Sequence, residues 1–200
     1  MAEYGTDFIV QRVISQHDSM ARLNESSVNT IRVFTYRNRG GAISALRDMT
    51  FLRVGGKGSV KDNGSSGGWL AGVVSDEGQI ASMCCKFKNA TQVALSECLG
   101  MDGFSIPNFQ AVYPFAESLH ERMPYFDLLG WDIAIGPSGE PVFIEMNVEP
   151  SVEGPQLTRG PAFGDLIDEI MERISTVTKE RKVYDIHHFR SGFDYFLPIG

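Results

Sequence analysis

Apolar and polar residues alternate along much of this chain with the period of a β-strand, and in a few stretches with the period of a helix. Residues 8–14 are rich in β-branched side chains and read as a strand. Residues 27–37, built around Val28, Ile31, Val33 and Phe34, read the same way, as do 45–54. Two further strands, 69–74 and 79–87, flank the turn at Asp76-Glu-Gly78. Short apolar runs at 131–135 and 142–146 enclose Gly136-Pro-Ser-Gly139 and predict a hairpin. Residues 16–26 suit a short helix, with Met20, Ala21 and Leu23 apolar. Helical spacing is clear in 109–123, where Val112, Phe115, Ala116 and Leu119 fall on one side behind Pro107. It is clearest in 163–181, where Phe163, Leu166, Ile167, Ile170, Ile174 and Val177 form a stripe. Runs of strands with few helices between them predict an α+β fold, an antiparallel sheet with flanking helices. The expected boundaries are one domain over residues 1–182 and an aromatic tail over 183–200.

Composition narrows the partners. The 200 residues are 42% hydrophobic and 22% charged, enough to bury a core. A net charge of −7 argues against a nucleic-acid surface, which needs a basic stripe. Anionic small molecules stay open, because a few arginines and a divalent cation reverse the field locally. Three cysteines, Cys84, Cys85 and Cys98, lack metal-site spacing. A disulfide scaffold is not expected, and a reducing cytoplasm is the predicted location. No run of about 18 apolar residues predicts insertion into a membrane.

Candidate chemistry concentrates in the hairpin. A strict period of two places Phe143, Glu145 and Asn147 on one face of the second strand, and Val142, Ile144 and Met146 on the other. In the first strand Asp132 shares a face with Ala134, while Trp131, Ile133 and Ile135 face the core. If Gly136 pairs with Pro141, then Asp132 lies opposite Glu145, where like charges repel. Two carboxylates and an amide oxygen suit Mg²⁺, which takes one or two carboxylates and shares its shell with phosphates.

The order Asp132, Glu145, Asn147 resembles the Asp…Glu-x-Asn magnesium triad of the ATP-grasp superfamily. Further motifs make the likeness narrower: Ser15-Gln-His17, Ser26-Ser-Val-Asn-Thr-Ile-Arg32, Leu52-Arg-Val-Gly55, Val60-Lys-Asp-Asn-Gly-Ser-Ser-Gly-Gly68, Gly130-Trp-Asp132 and Phe143-Ile-Glu-Met-Asn147. Together they resemble the sugar-transfer-associated ATP-grasp family, over residues from about 8 to 174. The resemblance implies the C-terminal, catalytic lobe of that fold, with ATP and Mg²⁺ as cofactors and Asp132, Glu145 and Asn147 as metal ligands. It implies that Arg32 contacts the transferred phosphate, a role that suits a planar guanidinium, and that Arg53 is similar. It assigns Asn63, with Gly67 and Gly68, to a loop beside phosphate and acceptor. It also places the backbone around Gln11, Arg12 and Val13, on an interlobe strand over 8–14, at the adenine edge. His17 has a ligand-side position in the family, although a histidine at a strand end is more often a cap. His187 and His188 have no metal-ligand partners at useful spacing. Gly55-Gly-Lys-Gly58 is not a P-loop, because neither the spacing nor a following helix is present.

The implied activity is ATP-dependent carboxylate–amine ligation through an acyl-phosphate, in a polysaccharide or modified-sugar pathway. A kinase-type ATP-grasp phosphotransferase is one alternative. A non-catalytic lobe serving as a partner-binding module is another. The family's first lobe would precede residue 8, so the expectation is a portion of a longer polypeptide, or a chain completed by a partner or a second copy. D-alanine-type ligases carry an arginine two residues before the first metal aspartate. Here that position is Gly130, and Arg32 or Arg53 is expected to supply the charge.

Overall fold

The computed structural model of the protein describes residues 12–56, 58, 67–86 and 88–180, the last five by backbone alone. Strand β1, Thr30–Arg37, is buried along nearly all its length because strands flank it on both sides. It pairs antiparallel with β3, Phe51–Val54, on one edge and with β7, Leu128–Ile135, on the other. From β7 the sheet continues to β8, Pro141–Asn147. From β3 it continues through β4, Trp69–Gly72, and β5, Met83–Lys86, to β6, Thr91–Ala94. A short β2, Ile43–Ala45, folds back on the end of β1. Among the described residues this makes an eight-stranded antiparallel sheet, in the order β6-β5-β4-β3-β1-β7-β8 with β2 on β1.

The alternation of side chains sorts the two faces. Ile31, Val33, Leu52, Val54, Ala71, Trp131, Ile133 and Ile135 fill one face. Met20 of α1, Asp18–Ala21, and Val112, Tyr113 and Ala116 of α3, Val112–Glu121, belong to the same core. Burying each large apolar side chain there contributes about 1.5–3 kcal/mol. A polar clasp crosses this core. Trp131 Nε1 donates to Thr35 Oγ1 at 2.7 Å, and Thr35 Oγ1 lies 2.6 Å from His120 Nδ1. The Phe126 carbonyl can only accept, so Nε2 carries a proton, and burial lowers the ring's pKa and disfavours a second one, leaving Nδ1 to accept from the threonine hydroxyl. His120 is therefore neutral, with its proton on Nε2 and donated to the Phe126 carbonyl at 3.0 Å.

The other face is covered over β3 and β4 by α4, Glu153–Arg159. A Cβ at Gly154 would lie 2.5 Å from the Phe51 ring, and one at Gly72 would lie 2.6 Å from Arg159. Glycine at both positions lets the helix lie close to the sheet.

Several elements differ from the sequence reading. Residues 45–54 are not one strand: β2 ends at Ala45, and a 3-10 turn at Arg47–Met49 precedes β3. Leu46 N donates to Phe34 O at 2.7 Å, which folds the chain back at that point. The helix expected over 16–26 shrinks to α1. Side-chain bonds from Gln16 to the carbonyls of Asn24 and Ser27 hold the following residues in an irregular knot. Of 79–87, residues 83–86 form β5, while Ile80 makes an isolated bridge to Val73. Residues 12–14 of the strand expected over 8–14 carry no strand pairing, and the rest of it lies outside the described residues. Strand β6, helix α2 at Leu95–Leu99 and helix α4 were not anticipated.

Cys84 and Cys85 point to opposite faces of β5, as alternation requires, and both are buried. The expectation of no disulfide is corrected, however. Cys84 is bonded to Cys98 of α2, with the Cα atoms 6.7 Å apart, which ties the strand to the helix behind it. Burial pushes the free Cys85 thiol up from its ordinary pKa.

This body of the structure ends at Ala162, and a second unit begins at Phe163. Taken by itself, that unit holds a 3-10 turn, Gly164–Leu166, and the amphipathic helix α5, Ile167–Glu180. No helix among the described residues is long and apolar enough to cross a membrane.

Candidate functional site

On the face opposite the core, the strand register brings five polar side chains together. Arg32 on β1 is the direct neighbour of Asp132 on β7, and Asp132 is the direct neighbour of Glu145 on β8. Asn147 is paired with Gly130, two residues before Asp132 and so on the same side. Arg53 on β3 is opposite Thr30, again on the side of Arg32.

The pairing of Asp132 with Glu145 arises by a route that strict alternation misses. The expected pair of Gly136 with Pro141 does not form: Ile135 pairs with Pro141, and the register there is one residue out. A β-bulge between Asp132 and Ile133 and their partners absorbs Ile144 and restores Asp132 opposite Glu145. The bulge also reverses the facing of Phe143. Paired with Ile133, it stands on the apolar face, 6.2 Å from the Trp131 ring, instead of beside Glu145.

Asp132 is only 2% exposed and is clamped by both arginines. Arg32 Nε donates to its Oδ1, and Arg32 Nη2 to its Oδ2 at 2.9 Å. Arg53 Nη1 donates to the same Oδ2. Both guanidinium groups bond the carboxylate directly and leave no gap between the arginines and Asp132. Burial alone would raise the Asp132 carboxyl, but the hydrogen bonds and charge of Arg32, with the charge of Arg53, hold it below the usual carboxylate range. Glu145 goes the other way. Its hydrogen bond with Asp132 pushes it up, and partial burial and the Asp132 charge add to this. Asn147 and Arg32 oppose the shift without cancelling it. Asn147 Nδ2 donates to Glu145 Oε1 at 3.3 Å, and Arg32 Nη2 lies 3.9 Å from that oxygen. Negative charge at Glu145 is thus left partly uncompensated by the protein, the condition in which a hard cation is favoured.

Among the described residues no cluster of three His, Cys, Asp or Glu could hold a metal ion. The set here is two carboxylates and an amide, which fits Mg²⁺ completing its shell with phosphate oxygens.

The other expected site residues fall elsewhere. Gln11 and Asn63 lie outside the described residues. Arg12 and Val13 are exposed, Val13 at 89%, in a segment tied to the sheet by His17 N donating to Ile135 O at 2.8 Å. His17 itself caps α1, its Nδ1 accepting from Ser19 N at 3.1 Å. Gly67 has φ +85° with open space around its Cβ position, so the backbone conformation, not crowding, calls for glycine there. Gly68 is buried just before β4.

Two contributors at the site were not read from the sequence. A Cβ on Gly130 would lie 2.7 Å from Pro150 Cβ, so the loop after β8 excludes any side chain where the D-alanine-type ligases place arginine. The cover helix α4 is the other. Gly160, which follows its last residue Arg159 and has φ +99°, is the one stop signal for it in the sequence.

No curated protein and no solved structure is similar enough to match the chain. A family model does match, one described as sugar-transfer associated ATP-grasp, and it spans residues 3–172. That span includes every strand of the sheet and both sides of the arginine–carboxylate cluster. The chain belongs to the sugar-transfer associated ATP-grasp family.

Proposed function

We propose that this chain supplies the magnesium- and phosphate-handling face of an ATP-dependent carboxylate–amine ligase in polysaccharide or modified-sugar biosynthesis. Membership of the family points to an ATP-dependent enzyme in a sugar-related setting. The observation that carries the finer reading is Asp132 opposite Glu145 across β7 and β8, with Arg32 and Arg53 directed at the same carboxylate.

Glu145, Asn147 and Asp132 would hold Mg²⁺. When bound, that ion neutralises phosphate charge and polarises the phosphoryl group to be transferred. The rest of the work falls to the chain's own side chains. The Arg32 fork suits two phosphate oxygens at once and offsets charge that grows as the phosphoryl group moves to the substrate carboxylate. Arg53 keeps Asp132 ionised and fixed in orientation. Asn63, Gly67 and Gly68 would bring an amide and backbone N–H groups to the phosphates and acceptor. The carboxylate substrate forms its C–O–P bond as ADP leaves, and an amine then displaces phosphate from the acyl carbon. Positioning and charge neutralisation carry the rate.

The test is ADP release by the full chain with Mg²⁺ and ATP, across a panel of sugar acids with and without amines. Release that needs both a carboxylate and an amine, and that is lost in Glu145→Gln, is the expected result. A stable phosphorylated acceptor with no amide would contradict it.

A further inference from the structure

Asp132 meets any incoming metal ion already occupied. Its Oδ1 accepts from Arg32 Nε, and its Oδ2 from Arg32 Nη2 at 2.9 Å and from Arg53 Nη1. Its neighbour Glu145 is open, with more than half of its side chain exposed. Two fixed cations therefore stand on the lone pairs that a divalent ion needs. Guanidinium groups are also the side chains best matched to phosphate.

We infer that Arg32 is an exchange residue. It holds Asp132 until nucleotide phosphates draw it away, so that nucleotide and divalent cation enter as a coupled pair instead of independently. This inference rests on reading the face as a magnesium-nucleotide site. A bare dication would have to displace a hydrogen-bonded guanidinium from a buried carboxylate and leave it only Glu145, 3.9 Å away and itself claimed by the ion, as counter-charge, which is unfavourable. Phosphates supply the missing counter-charge. Arg32 gains a bidentate partner as Asp132 gains a free oxygen. Arg53 stays on Oδ2 throughout and keeps the carboxylate oriented. Linkage makes the effect reciprocal: nucleotide raises the affinity for the cation by the same factor that the cation raises the affinity for nucleotide.

The experiment uses Mn²⁺ as the probe, with free Mn²⁺ followed by electron paramagnetic resonance. The full chain is titrated alone and with the non-hydrolysable β,γ-imido analogue of ATP. For the wild type, Mn²⁺ alone is expected to bind weakly and at least tenfold more tightly with the analogue. In Arg32→Met, which leaves Asp132 its Arg53 partner, Mn²⁺ alone should bind at least tenfold more tightly than in the wild type. Adding Glu145→Gln to that variant should remove the gain, which places the bound ion on this face. Arg32→Lys keeps the charge but not the fork, and should fall between. If Arg32→Met does not fold by near-ultraviolet circular dichroism, Arg32→Lys decides. Unchanged or weaker Mn²⁺ binding in the folded variants overturns the inference, while tight binding of Mn²⁺ with the analogue would leave the site reading standing. A wild type that binds Mn²⁺ neither alone nor with the analogue overturns both.

Discussion

Asp132 and Glu145 are directly paired, yet one is buried between two guanidinium groups and the other is open to solvent. Their substitutions should therefore separate stability from function. Asp132→Ala strands Arg32 and Arg53 without their carboxylate and is expected to cost about 3–5 kcal/mol, read from urea denaturation. Glu145→Gln should change stability by no more than about 0.5 kcal/mol. Its ADP-release rate, however, should fall by about a hundredfold or more, the scale of losing a group that organises transition-state charge. Equal stability losses in the two variants would mean that Glu145 is part of the structural clamp. Gly130 gives a third test at this scale. Pro150 leaves no room for a methyl group, so Gly130→Ala is expected to cost about 1–3 kcal/mol by forcing the two chain segments apart. A thermal midpoint equal to that of the wild type would contradict this packing.

At the scale of elements, α3 and the central strands are joined by the Trp131–Thr35–His120 clasp, which makes the join sensitive to pH. Desolvation, ahead of the charge of Arg37, lowers the His120 pKa below its ordinary 6.5, despite the Phe126 carbonyl, which favours the proton. The folded state therefore binds the proton less readily than the unfolded chain, and unfolding is favoured as pH falls below about 6.5. The urea midpoint should decline between pH 7.5 and 5.5, and His120→Gln should flatten that slope. The link between β5 and α2 predicts a different signal. Thiol titration of the denatured, unreduced protein should find one free cysteine, Cys85, out of three. Reduction should cost about 3 kcal/mol, the usual value for a loop of this length.

Much of this level was legible in the sequence. Helix α3, the hairpin of β7 and β8, and β1 follow from simple periodicity, although β1 and β7 are buried on both faces. The breaks were not. The 3-10 turn inside 45–54 depends on a backbone bond from Leu46 to Phe34, and the disulfide on the distance between two elements, neither of which leaves a local pattern. The bulge at Ile144 was equally hidden. A period of two gave the right partner for Glu145, and the wrong face for Phe143, because one extra residue shifts every later pairing.

Across the whole molecule the sheet divides labour between its faces, one sealed by α1 and α3 and the other shared between α4 and the charged cluster. The residues that converge, Arg32, Arg53, Asp132, Glu145 and Asn147, come from four strands, and the sheet order β3-β1-β7-β8 alone makes them neighbours. Their residue types were legible as motifs. The direct clamping of Asp132 was not, since sequence shows which charges share a face but not whether a ligand or another side chain fills the space between them. The central claim is that this cluster receives a nucleotide with its divalent cation. It is tested most directly by amide NMR of the full chain titrated with Mn²⁺ and ATP, where paramagnetic broadening marks residues near the ion even when binding is weak. The account predicts that the amides of Arg32, Asp132, Glu145 and Asn147 broaden first, and that Glu145→Gln abolishes the effect. Those four amides remaining sharp while another group broadens, such as Trp69 and Leu99 around the cavity beside α2, would contradict it.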